Sequence, residues 1–294
     1  MNEEYFQNFI LKQVRLSSDS RQGGLISPEY DLDPAERTIP PRTTCFICSL
    51  PRSGSTLLCE FLRNTRRAGI PCEYFNTVNI PRLMYRFGKH DFRMFLKCLL
   101  ERRTGTNGVF GLKIHWSQFV NNFEYLLRRY PDIESTPRGR LAAEVFPDPR
   151  YVFITRRDKV RQAVSLWKAK RSMYWDSEAV SWKRPQKPLY YSFRGIHRAR
   201  HTVMREENSW NRFFRENGIV PRRVLYEDLV SDAGPVIRGI LEFLGETTNG
   251  EFRFAPPRIR RQSDALSEEW ALRYRHELEN TEPPVKGGSR SLVR

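Results

Sequence analysis

Residues Cys45–Leu58 read CFICSLPRSGSTLL, and this stretch decides the fold. Its apolar opening has the length of a strand, Pro51, Arg52, Ser53 and Gly54 make a turn, and Ser55 starts a helical pattern. A strand that turns tightly into a helix is the layout of a phosphate-binding loop. The turn's backbone N–H groups point at an anion, and the helix adds the positive end of its dipole. The loop departs from the nucleotide triphosphatase pattern GxxxxGK[ST], in which Lys directly precedes the hydroxyl residue. Here the fixed cation is Arg52, ahead of the glycine. The loop therefore predicts a phosphate ester rather than an ATP-type γ-phosphate held with magnesium. The competing reading is an ordinary strand-to-helix turn capped by Ser.

Working outward, the pattern predicts strands at Thr43–Ser49, Gly108–Ile114 (GVFGLKI), Arg150–Thr155 (RYVFIT) and Val224–Tyr226, with a short extended piece at Cys72–Phe75. Helices are expected from Ser55 to Arg66, Asp91 to Leu100, Trp116 to Tyr130, Asp158 to Lys170 and Phe193 to Asn217. Two more are expected, one capped by Ser231 and running to Leu244, the other from Ser267 to Glu279. Strands separated by helices at this spacing predict an α/β fold, a P-loop NTPase-like parallel sheet flanked by helices. A single domain is expected over residues 43–280. Residues 1–42 read as a loosely attached arm, 171–192 as an irregular insertion rich in Trp, Tyr, Lys and Pro, and 281–294 as a disordered tail. Ligands of such sheets sit at the carboxyl ends of the strands. SLPRSGST, the residues after GLKI, TRRD and YED all fall there.

Composition narrows the class. A chain of 294 residues buries a sizeable core without staples. Its net charge of +16, from 50 basic and 34 acidic residues, attracts nucleic acid, acidic membrane surfaces or phosphorylated small molecules, unless it is simply a solvated basic face. Of the five cysteines, Cys45 and Cys48 form a CxxC, but no second Cys or His pair follows at metal-ligand spacing. Buried strand thiols in a reducing compartment are the expectation. With no signal-like apolar stretch at the start and no run of membrane-spanning length, a cytoplasmic or peripheral protein is expected.

A second constellation is FITRRDKVRQAVSLW, Phe153 to Trp167. Arg156 ends a strand and Ser165 lies in the next helix, a pair suited to a second phosphate. Taken alone, Arg beside Asp is more often a capping ion pair. With the first loop it suggests a ligand with two separate phosphates.

SLPRSGSTLL, TRRDKVRQAVSLW and YEDL together resemble the sulfotransferases that use 3′-phosphoadenosine 5′-phosphosulfate. Within these the chain is most similar to the bacterial carbohydrate sulfotransferases of the trehalose 2-sulfotransferase type. Glu73-Tyr74-Phe75 matches that family's Glu-Phe-Phe element, GLKIHW its GGKLMW, and RQSD…EWALRYR its RQAD…EWxxRYR. The likeness runs from about residue 44 to 277, five elements in one order.

The resemblance implies a sulfotransferase fold and a sulfuryl transfer to a carbohydrate or glycolipid hydroxyl. Arg52, Ser53, Gly54, Ser55 and Thr56 would hold the donor's 5′-phosphosulfate, and Arg156 with Ser165 its 3′-phosphate. Arg261 or Gln262 would close over it, and Tyr226 would lie near the adenine, although a core tyrosine is an equal reading. Glu73 would be the general base, with basicity raised by burial near Tyr74 and Phe75. Arg52 would assist catalysis, and Lys113 would neutralise the leaving bridging oxygen unless it serves a strand-end salt bridge. His115 stands where the family carries an apolar residue, and is left outside the catalytic set. No metal is expected, because a sulfuryl group carries one negative charge where a phosphoryl carries two.

Two other classes remain open at this level. A P-loop small-molecule kinase would need the missing GK pair. A nucleic-acid-binding protein would use the basic, aromatic stretch Lys168–Arg200, a stretch that otherwise lines an acceptor site where Trp175 and Trp182 stack on sugars. The partner expected is thus a small sugar or glycolipid, with no nucleic acid. Proximity to a membrane surface and a homo-oligomer remain open.

Overall fold

Every residue of Thr43–Ser49 (β1) is buried, which is why the strand is apolar without alternation. In the computed structural model β1 lies inside a parallel sheet with β2 (Val109–His115), β3 (Pro149–Thr155) and β4 (Arg222–Leu225), in the order β2-β1-β3-β4. The structure describes residues 28–33, 35, 39–89, 91–172, 175, 188–247, 254–258 and 264–281. The chain leaves β1 toward β2 on one side and later crosses to β3 on the other. The switch in strand order therefore opens a crevice at the carboxyl end of β1, where the loop sits.

The flanking helices are α1 (Ser55–Asn64), α2 (Asn79–Arg86), α3 (Phe92–Arg103), α4 (Lys159–Ser172), α5 (Phe193–Glu216), α6 (Tyr226–Ser231), α7 (Ala233–Phe243) and α8 (Ala265–Thr281). They form two layers. Phe46 and Cys48 face a large aromatic layer with residues of α3, α4 and α5, while Cys45 and Ile47 face a smaller one with α1 and α7. The period of two along a strand thus sends the CxxC sulfurs into opposite layers, so this pair cannot grip one metal ion. Burial pushes both thiols up, as expected of core cysteines.

Several elements differ from the sequence reading. Trp116 to Leu127 is not one α-helix: Trp116–Gln118 and Tyr125–Leu127 flank a π-helical segment, Phe119–Glu124. The wide turn is pinned by tertiary contacts, because Asn122 Nδ2 donates to Phe75 O (2.7 Å) and buried Glu124 accepts from Arg128 (2.8 Å) and Arg138 (2.7 Å). Helix α2 was unforeseen; Pro81 sits in its first turn, where its missing N–H costs nothing. Tyr226 begins α6 rather than ending a strand, and the cap of α7 is Asp232, which accepts from Gly234 N, not Ser231. Cys72–Phe75 is not a strand, although Lys113 N donates to Cys72 O (2.9 Å). Part of the arm expected to be loose is docked. Asp31 pairs with Arg86 (2.9 Å) and with fully buried Arg103 (2.7 Å), and Leu32 N donates to Arg102 O. Most of the 171–192 insertion and the tail beyond Thr281 lie outside the described residues.

Candidate active site

The loop after β1 is shaped by two left-handed residues, Arg52 (φ 62°) and Gly54 (φ 85°). For Arg52 this conformation is strained, by an amount on the order of 1 kcal/mol, and it turns the guanidinium across the crevice. Arg52 Nε donates to Ser165 Oγ (2.8 Å) and its Nη1 to Trp175 O. Gly54 permits a close approach as well as the turn: a Cβ there would lie 2.3 Å from Cδ2 of Tyr226. Gly54 caps α1 without a side-chain bond, so the helix's first N–H groups face the crevice. The buried Ser53 hydroxyl has no hydrogen-bond partner among the described residues. An anion in the loop would satisfy it, so the residues present fit a phosphate-type ligand.

The TRRD segment divides its two arginines between structure and site. Arg157 N is received by both carboxylate oxygens of Glu227 (3.1 Å each), and Arg157 Nη2 meets Asp228 (3.0 Å). The YED triplet therefore holds Arg157. Arg156 instead lies over the Tyr226 ring, 4.8 Å from its centroid, and its buried Nε has no partner among the described residues. Desolvation lowers its pKa, outweighing the opposing influence of Tyr226, Glu227 and Asp158. Asp158 caps α4, accepting from Arg161 N (2.9 Å), and pairs with Arg275 of α8 (2.8 Å). The capping carboxylate is thus engaged by residues other than Arg156. Ser165 meets Arg52, and Arg156 joins the loop through Tyr226 and Gly54.

On the other side of the loop stands Glu73. Its segment reaches the crevice because Gly111 on β2 has no side chain: a Cβ there would be 2.3 Å from Ala68 O and 2.7 Å from Pro71 Cγ. Glu73 Oε1 pairs with buried Lys113 Nζ (2.6 Å) and lies 3.4 Å from His115 Nε2. Its Oε2 accepts from Gln118 Nε2 (2.9 Å) and Asn76 Nδ2 (3.2 Å). Lys113 Nζ also donates to Thr56 Oγ1 (3.0 Å), joining the carboxylate to the loop through one ammonium.

Electrostatics correct one expectation here. Burial does oppose the charge on Glu73, but Lys113 and His115 outweigh it and hold the carboxyl well below the ordinary carboxylate range. The lysine is displaced upward: burial disfavours its charge, and Glu73 more than restores it. Lys113 therefore makes the salt bridge that was one of its two sequence readings, and its ammonium also reaches the loop at Thr56.

His115 proves to belong to this network, with Nδ1 3.0 Å from Ser49 Oγ. Gln118, Asn76 and Gln162, whose Nε2 donates to Pro51 O (2.8 Å), were missed. Isolated amides carry no motif, although Gln118 stands three residues after His115 at helical capping spacing, and its Oε1 accepts from His115 N. Arg261, Gln262 and Trp182 lie outside the described residues. Close by, Asp264 ties to Lys168 (2.7 Å) and Glu268 to Arg161 (2.6 Å), docking α8 on α4. No described helix is long and apolar enough to cross a membrane.

A parallel sheet whose first loop forms an anion cradle, joined by a lysine to a carboxylate, has the layout of a group-transfer enzyme of the phosphate-loop type. The Stf0 sulphotransferase family model matches residues 44–277, and the chain belongs to that family: it is a sulfotransferase. It is 29% identical over 257 residues to a trehalose 2-sulfotransferase of Mycobacterium tuberculosis (strain Erdman), covering 79% of this chain and 94% of that protein. It is 30% identical over 273 residues to a trehalose 2-sulfotransferase of Mycolicibacterium smegmatis, covering 83% of this chain and 98% of that protein. Membership of this family sets aside the kinase and nucleic-acid readings.

Proposed function

We propose that this enzyme moves the sulfuryl group of 3′-phosphoadenosine 5′-phosphosulfate to a hydroxyl of trehalose or a related sugar or glycolipid, in the cytoplasm. The observation that carries the reading is the chain Glu73–Lys113–Thr56, which sets a carboxylate and an ammonium at the edge of the anion cradle. The donor's phosphosulfate lies in the loop of Arg52 to Thr56, with the adenosine 3′-phosphate against Arg156 and Ser165 and the base near Tyr226. Arg261 and Gln262 are proposed to close over it. The trehalose-type acceptor rests on the names of the two relatives.

In the transfer the acceptor oxygen attacks sulfur in line as the bond from sulfur to the bridging oxygen breaks. The hydroxyl proton passes to Glu73, and the electron pair of the broken bond leaves on the phosphate of adenosine 3′,5′-bisphosphate. Lys113 and Arg52 neutralise that developing charge. A carboxylate of low pKa serves as the base because the hydroxyl becomes strongly acidic only as its oxygen bonds to sulfur. Lys113 prepares this step from both sides, keeping Glu73 ionised and facing the leaving oxygen. No step requires a metal ion.

Incubating the enzyme with labelled donor and a panel of sugars and lipid extracts tests the reading. A sulfated product from trehalose or a trehalose-like sugar is expected. No sulfated product, together with no binding of adenosine 3′,5′-bisphosphate, would remove it.

A further inference from the structure

Helix α5 buries one face, carried by Ile196, Ala199, Val203, Glu206, Trp210, Phe213 and Phe214. At these spacings of three and four, Glu206 occupies a core position between Val203 and Trp210, and it is only 8% exposed. A carboxylate there needs a partner, yet its buried Oε2 has none among the described residues. The next residue, Glu207, is by contrast paired, with Lys159 of α4 (2.7 Å).

Where Glu206 lies follows from its neighbours. Phe214 packs on Tyr151 and Phe153 within β3, while Trp210 Nε1 donates to Ser49 O at the carboxyl end of β1 (3.2 Å). The helix thus climbs out past the carboxyl edge of the sheet toward its N-terminus. Glu206, one turn beyond Trp210, therefore lies past that edge, on the side of the sheet that carries the loop. Trp210 packs edge-on against Trp116, whose neighbour His115 contacts Glu73. The charges acting on Glu206 come from His115, Arg205 and Lys170, and burial, the larger influence, pushes its carboxyl up.

We propose that Glu206 is an acceptor-binding residue: its carboxylate receives a hydrogen bond from a hydroxyl of the neutral sugar, in the neighbourhood of His115. The unmet acceptor capacity of Oε2 is then met by substrate. This rests on the sulfotransfer reading above and extends it, because it assigns the recognition of a polyol to a residue outside the donor loop and the base. The pairing also selects for uncharged acceptors, since an anionic sugar would meet Glu206 and Glu73 together.

The test uses Glu206→Leu and Glu206→Gln in steady-state assays with the best acceptor of the wild-type panel. Bisphosphate affinity and melting temperature are measured alongside. Leucine fits the apolar stripe, so its melting temperature is expected to match or exceed that of the wild type, as replacing an unpaired buried carboxylate by an apolar side chain is neutral or favourable. Acceptor KM is expected to rise about 10- to 100-fold, the loss of one hydrogen bond to a charged group, with bisphosphate affinity unchanged. The glutamine variant, isosteric and uncharged, is expected to show a smaller rise. A melting temperature that falls in both variants while acceptor KM stays constant would mean that Glu206 is structural and overturn the proposal. Wild-type enzyme without turnover on any sugar would instead refute the sulfotransfer reading itself, and the proposal with it.

Discussion

The two sides of the crevice differ in how their polar groups are satisfied. On the loop side, the Ser53 hydroxyl and Arg156 Nε are buried without a partner among the described residues. On the base side, Glu73 has four partners: Lys113, His115, Gln118 and Asn76. The protein completes the base site by itself, whereas a ligand's charge must complete the loop. The Glu73 side is therefore organised without a ligand, whereas the loop side is organised to receive one. Lys113 links them directly, touching both Glu73 and Thr56.

This difference can be broken experimentally. The largest effect is expected from Glu73→Gln, which keeps the shape of the base site and removes its proton acceptor. Turnover should fall by about 10²- to 10⁴-fold, the usual contribution of a general base; a fall of less than tenfold in single-turnover assays would end the assignment. Next comes the loop side. Arg156→Ala should weaken adenosine 3′,5′-bisphosphate by about 10- to 100-fold, as expected for a hydrogen bond to a charged group. Arg157→Ala should do far less, because Asp228 already occupies that guanidinium, while Glu227 holds the backbone N–H that the substitution leaves in place. Equal losses in calorimetric titrations would mean that the division of the pair is wrong.

A smaller effect concerns pH. The carboxyl of Glu73 lies below its unfolded value of 4.5, so its contribution to stability is present above that pH and is lost as pH falls through the lower folded value. Lowering pH from neutral toward 4.5 should leave Glu73 ionised in the free enzyme. A carbon NMR titration, assigned by the missing signal in Glu73→Gln, should show no midpoint above 4.5, and a midpoint there would contradict the dominance of Lys113. The least effect on either side should come from Asp31→Ala. Removing the carboxylate that faces buried Arg103 should cost about 3 kcal/mol of stability in denaturant unfolding. The KM values for donor and acceptor should not change, and a shift in either would show that the docked arm reaches the crevice.

The loop side was legible in the sequence and the base side less so, for physical reasons. A strand, tight turn and helix start are local, so Thr43–Ser49 and the turn at Arg52 to Gly54 could be read directly. Arg156 and Ser165 were singled out by their place at a strand end and in the helix that follows, and Glu73 through the ordered motifs of a family resemblance. The depressed pKa of Glu73 was not foreseen, since it depends on a lysine that β2 delivers beside it across 40 residues of sequence. His115, Gln118 and Asn76 likewise acquire their role only when two segments meet. The break into a π-helical turn at Phe119–Glu124 is set by packing against Phe75 rather than by propensity. Glu206 carried no sequence signal of its own; its place in the buried stripe between Val203 and Trp210 emerges from the packing of the helix.

The central claim is that binding the donor and accepting the proton belong to different groups. Titrating adenosine 3′,5′-bisphosphate into wild-type and Glu73→Gln enzyme tests it most directly. The account predicts wild-type affinity in a variant that no longer turns over; a variant that has lost the bisphosphate along with its turnover would contradict it.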